Sequence, residues 1–127
     1  MGKRIIHTDQ APQAIGPYSQ ATELKGTLFV SGQIPINPAT GELIEGNVEA
    51  QTRQVLENLK AILSEAGYDF KDVMKAEVFI ADMNDFSQIN GVYAEYFAKE
   101  PPARACVEVS RLPKDVKVEI ALIAMKG

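Results

Sequence analysis

Apolar positions along the chain recur with two periods, close to 2 and close to 3.6, and their succession reads as β-β-α-β-α-β-β. Ser19 to Leu24 and Thr27 to Gln33 read as two strands joined at Lys25-Gly26, a hairpin pattern. A loop rich in turn residues, IPINPATGELIEGN, follows. Asn47 has the side chain of an N-cap. Behind it Val48, Thr52, Val55, Leu56, Leu59, Ile62, Leu63 and Ala66 share one helical face, and Gly67 stands where a helix would end. Val73 to Ala81 alternates, with Met74, Ala76, Val78 and Ile80 predicted on the dry side and Lys75 and Glu77 on the other. A second helix is expected from about Asn84, with Phe86, Ile89, Tyr93, Tyr96 and Phe97 as its stripe and Pro101-Pro102 as its stop. Ala103 to Val109 and Val116 to Met125 complete the strands.

This order predicts one α+β domain over residues 1–127, with both helices on one face of a single sheet. The last strand then poses a problem. Val116, Val118, Ile120, Leu122 and Ala124 share one parity, while Ala121, Ile123 and Met125 share the other, so both its faces are apolar near the end. The helices can cover one face. With none left for the other, a second copy of the chain is the expected cover, which predicts a homo-oligomer.

Composition narrows the chemistry. The 127 residues are 46% hydrophobic and 24% charged, enough for one core without a disulfide or a structural metal. One cysteine rules out an internal disulfide, and MGKRIIHTDQAPQ lacks the apolar region of a secretory signal; both predict a cytoplasmic protein. No run is long and apolar enough to suggest a membrane partner. Thirteen basic against 17 acidic residues give a net charge of -4 with no Lys/Arg stripe, so nucleic acid is a poor partner. His7 and Cys106 are the sole soft donors and have no ligand spacing, which argues against a metal. His7, near an end of the chain, is expected to be solvated on a mobile tail. The single histidine also leaves little room for a Ser-His-Asp triad, and no phosphate-binding glycine pattern is present.

Two charged residues stand out. Glu119 shares its parity with Ala121, Ile123 and Met125; it is either at a wet edge, paired with Lys117 or Lys75, or a partly desolvated acid or base. Arg104 shares its parity with Cys106, Glu108 and Ser110, and its planar guanidinium would serve either in an ion pair or as a fork for a small organic acid. Cys106 has no histidine nearby in sequence and reads as a small buried side chain rather than a nucleophile. Gly16-Pro17 would present Tyr18 at the mouth of a strand, and Ser31-Gly32 would close another strand where backbone can approach a ligand.

IGPYSQ at 15 to 20, SGQIP at 31 to 35, Asn90 with Tyr93, and PPARACVEVSRLPKDVKVEIALIA at 101 to 124 together resemble the Rid (YjgF) family, specifically its RidA branch of enamine/imine deaminases. The resemblance covers nearly the whole chain. It implies a chorismate-mutase-like fold, one mixed sheet under two helices, assembled as a homotrimer with ligand clefts between subunits. It further implies that Arg111 to Asp115 does not close a hairpin: another strand should lie between the strands of Arg104 and Glu119, so those two residues would meet across a subunit boundary. Arg104 becomes the clamp for a substrate carboxylate, assisted by backbone N–H groups around Gly32 and Cys106, and Glu119 the group that activates water. Tyr18, Ser31 and Asn90 fall at pocket positions. Many members carry a second glutamate where this chain has Ala121, so a role for that carboxylate is in doubt here. The implied reaction is hydrolysis of small 2-enamine or 2-imino acids to 2-keto acids, without a cofactor. The rival readings are a small-keto-acid-binding or chaperone-like module and, against the charge balance, a ribonuclease or translation inhibitor.

Overall fold

The computed structural model describes residues 2–127. Its main sheet has six strands: β1 (Arg4–Ile6), β2 (Ala21–Leu24), β3 (Thr27–Gln33), β6 (Val73–Ile80), β7 (Ala103–Glu108) and β8 (Val118–Met125). They lie in the order β1-β2-β3-β8-β6-β7, antiparallel throughout except for the parallel pair β6 and β7. A two-stranded ribbon, β4 (Ile36–Asn37) with β5 (Glu42–Leu43), stands in the turn-rich loop. Helices α1 (Val48–Ala66) and α2 (Phe86–Tyr96) cover one face of the sheet.

Local chemistry fixes these elements. The hairpin β2–β3 turns through Lys25 (φ 50°) and Gly26 (φ 82°), two left-handed residues whose twist matches that of the flanking strands. Asn47 caps α1 by accepting from the Ala50 N–H at 2.8 Å, and Gly67 ends the helix in the left-handed conformation. From α1, Val55, Leu56, Leu59 and Ile62 are fully buried against Leu28, Val78, Ile80, Val118, Ile120 and Leu122 of the sheet. Each such side chain contributes about 1.5–3 kcal/mol by leaving water. The opposite face is bare: Phe29 is 52% and Val107 45% exposed, beside half-buried Phe79, Ala121 and Ile123.

Several expectations need correction. The tail is not free. Arg4–Ile6 pairs with β2, and buried Gln20 anchors the following segment through Thr8 N and O and the carbonyls of Ala11 and Pro12. His7 is nevertheless exposed, hydrogen-bonded to Gln13. In β6 it is Val73, not Met74, that is buried. The register steps from Val73↔Ala124 to Lys75↔Ile123, so Met74 is an extra residue in a bulge and points into solvent. Helix α2 begins two residues after Asn84. Asp82 caps a 3-10 turn, Met83–Asp85, that runs directly into it, and Val92 joins Ile89 and Tyr93 on its buried side. The strands also run shorter than predicted: Ser19 and Gln20 precede β2, Val109 follows β7, and Val116 and Lys117 precede β8. No helix among the described residues is long and apolar enough to cross a membrane.

Candidate functional site

Glu119 lies near the start of β8 on the bare face, opposite Phe79 of β6. On its other flank β3 bulges. The register passes from Val30↔Leu122 to Gln33↔Ile120, so two residues, Ser31 and Gly32, stand against the single Ala121. The carboxylate of Glu119 lies against Gly32. A Cβ there would lie 3.0 Å from the carboxylate carbon and overlap Oε2, so any side chain at 32 would push the acid out of its present place. Ser31 donates its hydroxyl to the Ser19 carbonyl at 2.6 Å, and the backbone of Tyr18 folds back onto Gly16 (N···O 2.9 Å). Ile15, Tyr18, Ser31, Gly32, Ile34, Pro113 and Glu119 enclose a cleft of about 440 Å³.

Glu119 has neither a hydrogen bond nor an ion pair among the described residues; the expected alternatives Lys117 and Lys75 do not reach it. Half-burial without a partner pushes its carboxyl above the ordinary glutamate range. A carboxylate so placed is a stronger base than one in water.

Arg104 is on the other side of the sheet. From β7 it points beneath α2, where its Nη1 donates to Asn90 Oδ1 at 2.6 Å and its guanidinium carbon lies 4.8 Å from the centre of the Tyr93 ring and 5.5 Å from that of Phe86. Among the described residues no carboxylate is paired with it. Asn90, Tyr93, Ala94, Phe97, Pro101, Pro102 and Arg104 line a second cleft, of about 550 Å³. Cys106, next along the same parity, packs against the core; burial raises its thiol pKa, with Arg104 pulling the other way. A weakly ionised thiol is a poor nucleophile.

The predicted residues therefore fall into two groups. Tyr18, Ser31, Gly32 and Glu119 converge on the bare face, whereas Asn90, Arg104 and Cys106 gather on the helical face. Strand β6 runs between β7 and β8, as the resemblance implied. One copy of the chain cannot bring Arg104 and Glu119 together. Ile15, Ile34 and Pro113 escape sequence reading as lining residues because each stands inside a motif beside more conspicuous polar groups; Tyr93 belongs both to the apolar stripe of α2 and, with Asn90, to the motifs of the resemblance, and neither assigns its ring a role.

A further groove of about 480 Å³ runs along α1 past Thr8 and Gln10, but its buried Asn58 is consumed in holding the Ile34 and Ile36 carbonyls. Among the described residues no three His, Cys, Asp or Glu side chains converge where they could hold a metal ion.

Comparison with known proteins decides the lineage. The family model described as Endoribonuclease L-PSP, that of the YjgF/Rid proteins, matches residues 8–126. The chain belongs to the Rid family. A RutC family protein of Pyrococcus horikoshii is 59% identical over 124 residues, 98% of each chain. Among solved structures, the Rid-family protein YyfA of Yersinia pestis superposes with a TM-score of 0.96 at 52% identity, covering 98% of this chain and 100% of its own. Escherichia coli TdcF, solved with bound serine, gives 0.93 at 50% identity over 98% and 99%. The α+β fold predicted from the helix count is the Rid fold.

Proposed function

We propose that this Rid protein is a cytoplasmic, cofactor-independent deaminase of the RidA type, which hydrolyses reactive 2-enamine and 2-imino acids to 2-keto acids and ammonia. In this reading it works as a homotrimer, each site combining Arg104 of one subunit with Glu119 of the next. One observation carries it: a guanidinium held solely by neutral groups and a desolvated carboxylate without a cation lie on opposite faces of one sheet. Each is half of a site for a small anion that must be bound and deprotonated around. The bare face supplies the apolar surface for association. TdcF with bound serine supports a ligand of the same size and charge type.

The chemistry follows from these groups. The enamine tautomerises to the imine, whose carboxylate is held by the Arg104 fork. Water attacks C2 as Glu119 takes its proton; the C=N electron pair moves to nitrogen, which receives that proton. The resulting carbinolamine gives its hydroxyl proton to Glu119, the carbonyl forms, and the C–N bond breaks as nitrogen is protonated and leaves as ammonia. Orientation and proton transfer suffice because the imine is already electrophilic. The net charge of -4 and the single arginine in the clefts favour this reading over the endonuclease in the family model's description.

The test is keto-acid release from freshly generated 2-aminoacrylate, 2-iminobutanoate and bulkier imino acids. Acceleration over buffer, competitively inhibited by 2-oxobutanoate, is expected. Binding of 2-oxobutanoate with no acceleration for any imine would make the protein a keto-acid-binding module instead.

A further inference from the structure

The Arg104 cleft contains a tyrosine whose ring, and not its hydroxyl, makes its contacts. The hydroxyl of Tyr93 is buried, on a residue only 6% exposed, and no described residue hydrogen-bonds to it. Buried polar groups are normally satisfied, since leaving one unmade costs about 1–3 kcal/mol. Phenylalanine would fill the same space without that loss. The contacts of Tyr93 are instead made by its ring, whose centre lies 4.8 Å from the Arg104 guanidinium carbon and 4.6 Å from that of the Phe97 ring.

We propose that Tyr93, with Asn90, is a positioning residue for Arg104: the aromatic face seats the guanidinium, and the amide oxygen pins one nitrogen, so the fork meets its ligand already oriented. The inference rests on the carboxylate-clamp reading of Arg104 and extends it to two residues that act through that side chain. Phe86, Asn90 and Tyr93 are spaced four and three apart, on the face of α2 that meets the Arg104 side chain. An arginine side chain is long and loses much rotamer freedom on binding. A seat that removes this freedom beforehand leaves less to lose when the ligand arrives.

The neutrality of the seat matters as much as its shape. Asparagine accepts from Nη1 without bringing a charge, and the two rings offer only the negative side of a quadrupole. Aspartate at position 90 would hold the same nitrogen and at the same time cancel the cation. One of the five guanidinium N–H groups is used by Asn90, and the remaining four are enough for a bidentate carboxylate.

The experiment compares Tyr93→Leu, Tyr93→Phe, Asn90→Leu and Asn90→Asp with the parent. The first readout is free of any ligand: nitrogen NMR of the Arg104 guanidinium, where rotation about the Cζ–Nε bond is expected to be slow in the parent and fast in both leucine variants. The second is affinity for 2-oxobutanoate by calorimetry, together with KM and kcat for 2-iminobutanoate. Tyr93→Leu should weaken affinity and raise KM about tenfold, with kcat changed much less. Tyr93→Phe should restore most of what leucine loses, and Asn90→Asp should be worse than Asn90→Leu. Slow rotation and parental affinity in Tyr93→Leu would overturn the proposal, and so would a phenylalanine variant as impaired as the leucine one. If Tyr93→Leu does not fold, the same readouts on half-buried Asn90 decide. A parent that fails to bind 2-oxobutanoate would refute the carboxylate clamp, while the rotation measurement still decides whether the seat exists.

Discussion

Arg104 and Glu119 stand on strands of one sheet with a single strand between them, yet Arg104 is gripped by three side chains and Glu119 by none. The difference follows from the layers. The Arg104 side chain reaches α2, so it finds partners from a second element and is held. No helix among the described residues covers β8 on the other face, where local backbone and apolar neighbours dry the carboxylate without stabilising its charge. Binding needs a fixed group, whereas proton transfer benefits from one whose ionised form is not over-stabilised.

The largest effect that would break this comparison is expected at Glu119. Glu119→Gln keeps the shape and removes the base, so imine hydrolysis should fall by at least about a hundredfold, with 2-oxobutanoate affinity within a few-fold by calorimetry. Because the base must be ionised and its pKa is raised, the rate should fall with decreasing pH already above the ordinary glutamate range. The glutamine variant should lose that limb of the pH–rate profile. Linkage gives the accompanying sign. A raised carboxyl opposes folding once pH passes its folded value, so glutamine should gain thermal stability at neutral pH and lose the gain in acid.

Arg104→Lys keeps the charge without the fork, and affinity and rate should drop together by roughly ten- to a hundredfold. The sharper form mixes this variant with Glu119→Gln during refolding. If each site draws its two groups from different subunits of a trimer, random assembly restores one complete site per mixed trimer, about a quarter of the parental rate. No recovery would place both groups in one subunit's site and contradict the opposed faces. Gly32→Ala drives a methyl into the acid and should cost about tenfold in rate, while leaving the Arg104 seat intact by the same guanidinium NMR. The smallest effect is a control: Asn47→Ala loses the α1 cap and about 1 kcal/mol of stability in urea denaturation, with kcat unchanged.

Much of the frame was legible in advance because it rests on short-range rules. Asn47 and Gly67 delimit α1, and Lys25-Gly26 turns the first hairpin where predicted. The misplaced Met74 and the irregularity at Ser31-Gly32 have one physical origin. Met74 and Ser31-Gly32 sit in bulges, where a residue more on one strand than on its neighbour reverses the alternation that sequence reading relies on. No pattern within a strand reveals that its partner is out of step. The site was legible as a set of residues, and parity correctly separated Arg104 with Cys106 from the apolar positions of β7. The separation of Arg104 from Glu119 came from the family resemblance, which implied a strand between theirs; parity and spacing alone could not give it, because β6 comes between them by a long-range pairing. The grip on Arg104 was hidden for another reason: Tyr93 satisfies the helical stripe so well that nothing marked its ring as a cation seat.

The packing of Glu119 onto the Gly32 backbone couples two positions that are far apart in the chain. A Cβ at 32 and the Glu119 carboxylate in its present pose compete for one volume, so a side chain gained at 32 would swing the acid aside rather than remove it. The glycine thus governs where the carboxylate rests, and an alanine there would change the aim of the acid before it changed anything else.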